Sequence, residues 1–333
     1  MSTKHPHISI IIPCLNEGDF IESCINSLIQ GNYPSELLEI IIVDGGSTDN
    51  TIKIVNSINK NGASIKILNN PKQIVPTALN IGVASSTYDI ILLAGAHAIY
   101  DANYISQSVK TLLNEKCSSV GGVITPTART FTGKAIAIGT SSKFGIGNAK
   151  YRYAKEKQES DTVFAGCMRK ESINRIGGFN EAWVKNQDYE FNHRLRDKVG
   201  PIILDPQVKC QYFCRENISS LAKQYFSYGY WRFNTLKQHP NSFTVRQAAP
   251  LALFSALTIS LVLLILNSNL GLIFPLFYLV STIIASIWIS ISNNVLKYIV
   301  ILPIIFITLH LSWAMGFVTN AFNTLKNKII ALV

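Results

Sequence analysis

Glu39-Ile40-Ile41-Ile42-Val43-Asp44-Gly45-Gly46-Ser47-Thr48-Asp49-Asn50-Thr51 decides the fold. A β-branched run of this length reads as a strand buried on both faces. It ends on a carboxylate, two glycines and a cluster of cap-forming residues, so a helix follows over 49–58. A carboxylate at a strand end, next to glycines that carry no Cβ, lets a flat ring approach the backbone. Asp44 can therefore accept from a uracil N–H or from ribose hydroxyls, and Gly46 leaves room for them. A capped turn, with Ser47 or Asp49 as the N-cap, is compatible with that reading.

The same alternation extends outward on both sides. Ile8–Pro13 is an apolar run stopped by proline, and a helix follows over 20–30. Residues 64–68 form a third strand, 75–84 a helix and 88–93 a fourth strand, which ends at Ala94-Gly95-Ala96-His97. The order β-α-β-α-β-α-β specifies an α/β fold, a mostly parallel sheet with flanking helices and a Rossmann-like nucleotide half. Ligands of such sheets bind beyond the carboxyl ends of the strands. Pro13, Asn16 and Glu17 follow the first strand and stand beside Asp44. Asn16 and Glu17 serve equally well as a helix start. Thr130–Ala149, rich in Gly, Ser and Ala, reads as a loop; 161–168 reads as a strand, 186–196 as a helix and 202–204 as a short strand.

Charge divides the chain. The net charge is +10, yet no Asp or Glu occurs after Glu216, and no charged residue lies between Arg246 and Lys297. Apolar stretches at 248–266, 270–291 and 298–319 are each near the roughly 20 residues that cross a bilayer. Pro275 and Pro303 fall inside two of them. Residues 1–208 are expected to form the soluble domain, 209–246 a juxtamembrane segment and 247–333 a membrane region of about three helices. The middle segment carries Lys209, Arg215, Lys223, Arg232, Lys237 and Arg246 against Glu216 alone, together with many aromatics. Such a segment suits anionic lipid headgroups and argues against nucleic acid as a partner. By the positive-inside rule it places the soluble domain in the cytoplasm, on a multi-pass inner-membrane protein. Three full crossings would then leave Lys326 and Lys328 outside, against the same rule. Six scattered cysteines without a CxxC pair read as reduced thiols, and the polar stretch Met1–His7 is no signal peptide.

Two further groups carry chemistry. His97, at the fourth strand end, is placed where a metal could neutralise a diphosphate leaving group, although a lone His is commonly structural. An imidazole suits Mn2+ better than Mg2+. Asp188, at the start of the helix beginning near residue 186, is a candidate general base for an acceptor hydroxyl, or else a carboxylate favoured by the helix dipole.

Taken together, Ile10–Glu17, Val43–Thr51, Asn80-Ile81-Gly82 and Gly177–Glu181 resemble family 2 glycosyltransferases of the GT-A fold over residues 8–240. Residues 95–100, 144–149, 186–196 and 224–232 resemble the membrane-bound, succinoglycan-biosynthesis ExoA type in particular. The resemblance implies an inverting transfer of a hexose from a nucleotide sugar, UDP-linked by expectation, to a lipid-linked or saccharide acceptor in polysaccharide biosynthesis. It implies a divalent metal, a nucleoside held by Asp44 with Asn80 nearby, and Asp188 as base. Gln224, Trp231 and Arg232 would lie near the donor diphosphate or the acceptor; an aromatic interfacial helix explains them equally well. Two departures stand out. Gly95 occupies a position where the family carries Asp, and Gln187 one where it carries Glu. They leave room for a second function, a weak or silent donor-binding subunit of a polysaccharide assembly complex.

Overall fold

The computed structural model describes residues 5–330; residues 1–4, part of the polar start read above, and 331–333 lie outside it. By internal packing the chain falls into two compact units. Of the described residues, the first comprises those up to 125 and 150–213, and the second 126–149 and those from 214 on.

The first unit begins with β1 (Ile8–Cys14), α1 (Ile21–Ile29), β2 (Leu38–Asp44), α2 (Thr51–Ser57), β3 (Ser64–Asn69), α3 (Val75–Ser85) and β4 (Ile90–Leu93). These are the expected elements, within a few residues. β1 and β2 consist of Ile and Val runs buried on both faces, as central parallel strands require. β1 pairs in parallel with β2 on one side and with β4 on the other, and β3 extends the β2 edge.

Farther along the sheet antiparallel pairs appear, so the whole is mixed. The chain continues through β5 (Ala98–Tyr100), α4 (Tyr104–Asn114), β6 (Ser119–Thr127), β7 (Gln158–Ser160), β8 (Phe164–Arg169), a short helix at Lys170–Arg175, a helix at Gln187–Lys198 and β9 (Ile202–Phe213). Strand order is β3-β2-β1-β4-β8-β6-β9-β5, with β7 on β9. The expected short strand at 202–204 is thus the start of a twelve-residue strand.

The second unit holds α5 (Phe131–Ser141) and α6 (Lys143–Ile146), and this corrects the expectation of a loop over 130–149. Thr130 caps α5 by accepting from the Gly133 N–H at 2.9 Å. Ala135 and Ile136 are buried in a cluster with Leu302, Ile305, Phe306 and Leu309, so packing supplies what weak local propensity does not. The two helices of the first unit at 170–175 and 187–198 are α7 and α8 in chain order. The second unit continues with α9 (Ile218–Gln238), α10 (Val245–Ile265), α11 (Ile273–Ser292) and α12 (Leu302–Ile330). Three segments are long and apolar enough to cross a membrane, Gln247–Ile265, Asn269–Ser292 and Leu302–Ile330, and they mark a membrane-associated protein. Pro275 and Pro303 stand in the first turns of α11 and α12, where no helical N–H is lost.

Candidate active site

The sheet changes direction at β1: β2 and β3 lie on one side and β4 on the other. Such a switch point opens a crevice at the carboxyl ends of the strands. Here the ladder between β1 and β4 stops at Ile11 and Leu93, with one further bond from the Ala94 N–H to the Ile11 carbonyl at 2.9 Å. Pro13 follows at once, its missing N–H costing no partner on that side. The two chains then diverge.

Three strand ends are tied together around this crevice. Asn16 adopts a left-handed conformation (φ 55°), which Asn tolerates, and faces the β2 turn. Its N–H donates to Ser47 Oγ at 2.8 Å, and its Oδ1 accepts from the Thr48 N–H at 2.8 Å. Asp44 is 9% exposed. It accepts from the Gly46 and Ser47 N–H groups, both at 3.0 Å, and from Ser47 Oγ at 2.5 Å. Gly46, at φ +85°, gives the turn a conformation that a side chain would strain. The Cys14 thiol also points at Asp44, and burial followed by that carboxylate pushes it up to about 12, which leaves it inert. Asp49 accepts from the Thr51 N–H at 2.9 Å and from the Gly18 N–H at 3.0 Å, and the Thr51 bonds lower its pKa. The N-cap position of α2 is Asn50, without a side-chain cap bond, so Asp49 closes the turn before the helix instead of capping it, and it also fastens the β1 loop.

On the other side of that loop, Glu17 meets His97. The His97 Nδ1–H donates to Glu17 Oε1 at 2.9 Å, and the two side chains are 32% and 18% exposed. Tyr212 and Phe20 flank the imidazole, with ring centroids at 4.9 Å and 6.4 Å. Glu17 also donates its N–H to Thr51 Oγ1 at 2.8 Å, so β1, β2 and β4 are joined through one loop.

Gly95 donates its N–H to Tyr100 Oη at 2.7 Å. A Cβ on Gly95 would stand 3.0 Å from the edge of the Phe164 ring. The volume that an aspartate would use at this position is thus taken by an aromatic ring, and nothing in the sequence signals that partner.

Asp188 reaches the same rim through β8 and α8. β8 is antiparallel to β4, so its first residue, Phe164, lies at the β4 carboxyl end. Asn192 ties α8 to the residues just before β8, donating to Thr162 Oγ1 at 2.8 Å. Asp188 is one helical turn, about 6 Å, before Asn192. Its carboxylate is exposed to solvent. Desolvation by the surrounding protein nonetheless raises its pKa, opposed by the Tyr189 N–H at 2.9 Å.

The remaining expected site residues take other places. Asn80 bonds scaffold: it donates to the Phe179 carbonyl and to Glu181, and accepts from the Phe179 N–H at 2.8 Å. The Lys72 ammonium, then Asn80, holds Glu181 down at about 2. Asn80 therefore pins the Gly177–Glu181 turn on which α8 rests; Arg194 completes the clamp, bonding Glu190 and the Ile176 and Gly178 carbonyls. Gln224, Trp231 and Arg232 lie on α9 of the second unit. Gln224 donates to Tyr228 Oη at 2.9 Å, and Arg232 is buried and bonds Ser242. These contacts lie within the second unit.

Among the described residues no group of three His, Cys, Asp or Glu gathers to hold an ion. The Glu17–His97 pair does match the carboxylate–histidine arrangement in which one ring nitrogen is fixed and the other ligates. With one ring nitrogen held by Glu17, the other nitrogen of His97 would be the donor this pair offers to an ion.

A Rossmann-type half-sheet, a polar switch-point crevice and a following carboxylate helix define a GT-A-type nucleotide-sugar fold. Residues 9–177 match the sequence model described as Glycosyl transferase family 2. The chain is 31% identical over 245 residues to the succinoglycan biosynthesis protein ExoA of Rhizobium meliloti, covering 73% of this chain and 74% of that protein. It is 30% identical over 230 residues to a dolichyl N-acetyl-alpha-D-glucosaminyl phosphate 3-beta-D-2,3-diacetamido-2,3-dideoxy-beta-D-glucuronosyltransferase of Methanococcus voltae, covering 67% and 71%. The fold is also that of the mannosyltransferase PcManGT of Pyrobaculum calidifontis, solved with GDP-Man and Mn2+ (TM-score 0.65, 16% identity, 96% and 88% covered). The chain belongs to glycosyltransferase family 2, and it is a glycosyltransferase.

Proposed function

We propose that this enzyme is an inverting hexosyltransferase that moves a sugar from a UDP-linked donor to a lipid-linked saccharide, in the assembly of a surface or extracellular polysaccharide. The observation that carries this reading is the Asp44, Asn16–Ser47 and Glu17–His97 set joined at one switch point; the order of β8 and α8 supports bringing Asp188 to the same end of the sheet. The names of the relatives, one from succinoglycan biosynthesis and one acting on a dolichyl-phosphate-linked sugar, support the pathway and the acceptor class.

Asp44 and the Asn16 loop receive the nucleoside. His97, oriented by Glu17, is the protein ligand for Mn2+ or Mg2+, which when bound neutralises charge on the departing diphosphate. The acceptor hydroxyl attacks the anomeric carbon from the face opposite that diphosphate. A C–O bond to the acceptor forms as the C–O bond to phosphate breaks, and the hydroxyl proton passes to Asp188. The raised Asp188 pKa makes it a stronger base than an ordinary carboxylate. The basic, aromatic segment 209–246 supports a catalytic unit held at the cytoplasmic face of the inner membrane, where a soluble donor meets a lipid acceptor.

The test is product analysis. Purified full-length chain receives UDP-hexoses and a polyprenyl-linked acceptor, and mass spectrometry and NMR read the product. One added hexose with inverted anomeric configuration is expected. Retained configuration, or free sugar alone across a panel of acceptors, would refute the reading.

A further inference from the structure

The three apolar segments are not buried alike. Within the protein, 6% of the Gln247–Ile265 window and 17% of the Asn269–Ser292 window are buried, against 39% for Leu302–Ile330. Much of what covers α12 is α9, a helix that hydrocarbon would not accept. α9 carries Lys223 and Lys237, both exposed, along with Gln224, Arg232, Asn234 and Gln238.

The contact between α9 and α12 is close and runs in one direction. A methyl on Gly229 would collide with the Trp313 carbonyl, and one on Gly316 would collide with the Phe226 carbonyl. Small residues permit this approach of two backbones. Phe233 meets Phe317 edge-on at 5.3 Å. Asn320 Nδ2 donates to the Tyr230 carbonyl at 2.7 Å and to Asn234 Oδ1 at 3.0 Å. Residue numbers rise together along both helices, from Phe226 beside Gly316 to Asn234 beside Asn320. The helices are therefore parallel, and α12 occupies the same depth as α9.

The start of α12 is fixed at that depth by other helices. A Cβ on Gly139 of α5 would lie 2.8 Å from Ile305. Phe144 of α6 meets Phe306 at 4.9 Å, and its carbonyl accepts from His310 Nε2 at 2.9 Å. Residues 305–320 span about 24 Å at 1.5 Å per residue, most of a hydrocarbon core about 30 Å thick. α11 also meets the first half of α12, Tyr278 Oη bonding His310 Nδ1 at 2.8 Å, but a helix tied along its second half to α9 cannot pass through the core without taking that polar helix along.

The side of α12 turned away from these partners is a single apolar stripe. Ile304, Met315, Val318, Phe322 and Ile329 recur at helical spacing on one face and are all exposed. Lys326 and Lys328 stand near its end, also exposed. A helix buried along one face by a polar helix, apolar along the other and flanked by lysines suits the boundary between headgroups and acyl chains.

We propose that α12, despite its length and hydropathy, lies along this boundary and does not cross the bilayer. Its occupant face is the acyl layer just beneath anionic headgroups. α9, before the α10–α11 segment, and α12, after it, then share one face of the membrane, so the segment between them crosses an even number of times. Lys326 and Lys328 lie on the side of the basic segment 209–246, and the conflict with the positive-inside rule disappears. This depends on the apolar helices engaging a bilayer and not on the reaction assigned to the first unit.

The experiment measures depth. Spin labels are placed on full-length chain in liposomes at Ile304→Cys, Met315→Cys and Phe322→Cys, in a background where the two partly accessible cysteines, Cys117 and Cys214, are Ser. Accessibility to oxygen and to a water-soluble nickel chelate then gives the depth of each label. Similar shallow depths, within a few ångströms of one another, are expected. A Met315 label near the bilayer centre, with the other two toward opposite surfaces, would overturn the proposal. In sealed vesicles, an impermeant maleimide should label Lys328→Cys from the same side as Lys60→Cys of the catalytic unit; labelling from opposite sides would overturn it independently.

Discussion

Replacing Glu17 by Gln removes the charge that orients His97 and keeps the shape of the side chain. The bond is direct, Nδ1 to Oε1 at 2.9 Å. Loss of such an outer partner commonly weakens metal affinity 10–100-fold. The imidazole is 32% exposed, so water can replace part of the interaction. The lower end applies: a roughly tenfold rise in the apparent metal constant, about 1.4 kcal/mol. Donor turnover by membrane-reconstituted enzyme, titrated with MnCl2, reads this constant. The maximal rate at saturating metal should recover to within about threefold. His97→Ala should cost more, and the double variant no more than His97→Ala alone, because Glu17 acts through His97. An unchanged metal constant in Glu17→Gln, or losses that simply add in the double variant, would refute the assignment of this pair.

Three other outcomes are expected. Gly95→Asp alone should lower turnover, because the new side chain meets Phe164, whose ring stands 3.0 Å from the Cβ position; adding Phe164→Ala should restore activity and tighten metal binding. Glu39 is buried, its desolvation outweighed by bonds from Lys66, Ser9 and Thr87, which hold it at about 2. Its folded pKa lies below the ordinary 4.5, so the stability it adds is complete above about pH 4.5 and is lost as pH falls toward 2. Glu39→Gln should flatten the acid limb of thermal stability and cost about 2–3 kcal/mol at neutral pH, read by calorimetric unfolding. The acid limb of kcat should be displaced upward from that of an ordinary aspartate, since desolvation by the surrounding protein raises the Asp188 pKa and the base must be ionised; an undisplaced or lowered limb would remove Asp188 from this role.

The first four strands and their helices are legible because each signal is local. A run of Ile or Val closed by Pro13, Asp44 or Gly95 carries its own start and stop. Ala135 and Ile136 show where this ends: their helix depends on side chains from Leu302 to Leu309, more than 160 residues away, and its own Gly, Ser and Ala say little. β9 was visible only up to Leu204 because Asp205-Pro206 interrupts its pattern, while the Asp205 side chain bonds Gln107 and Thr111. The candidate residues were legible as strand ends, but their pairings were not. Nothing in one sequence joins Glu17 to His97, or Phe164 to Gly95. Asn80 illustrates the converse: a polar residue in a family motif serves the turn under α8.

The most direct measurement pairs donor binding with turnover in Asp188→Asn. The substitution keeps the size of the side chain and removes its basicity, so UDP-sugar affinity by calorimetry should stay within about twofold of the parent. Transfer to the lipid-linked acceptor should fall by about 10²–10⁴-fold, the share a positioned base supplies. Transfer at the parental rate with unchanged binding would contradict a catalytic site on this rim.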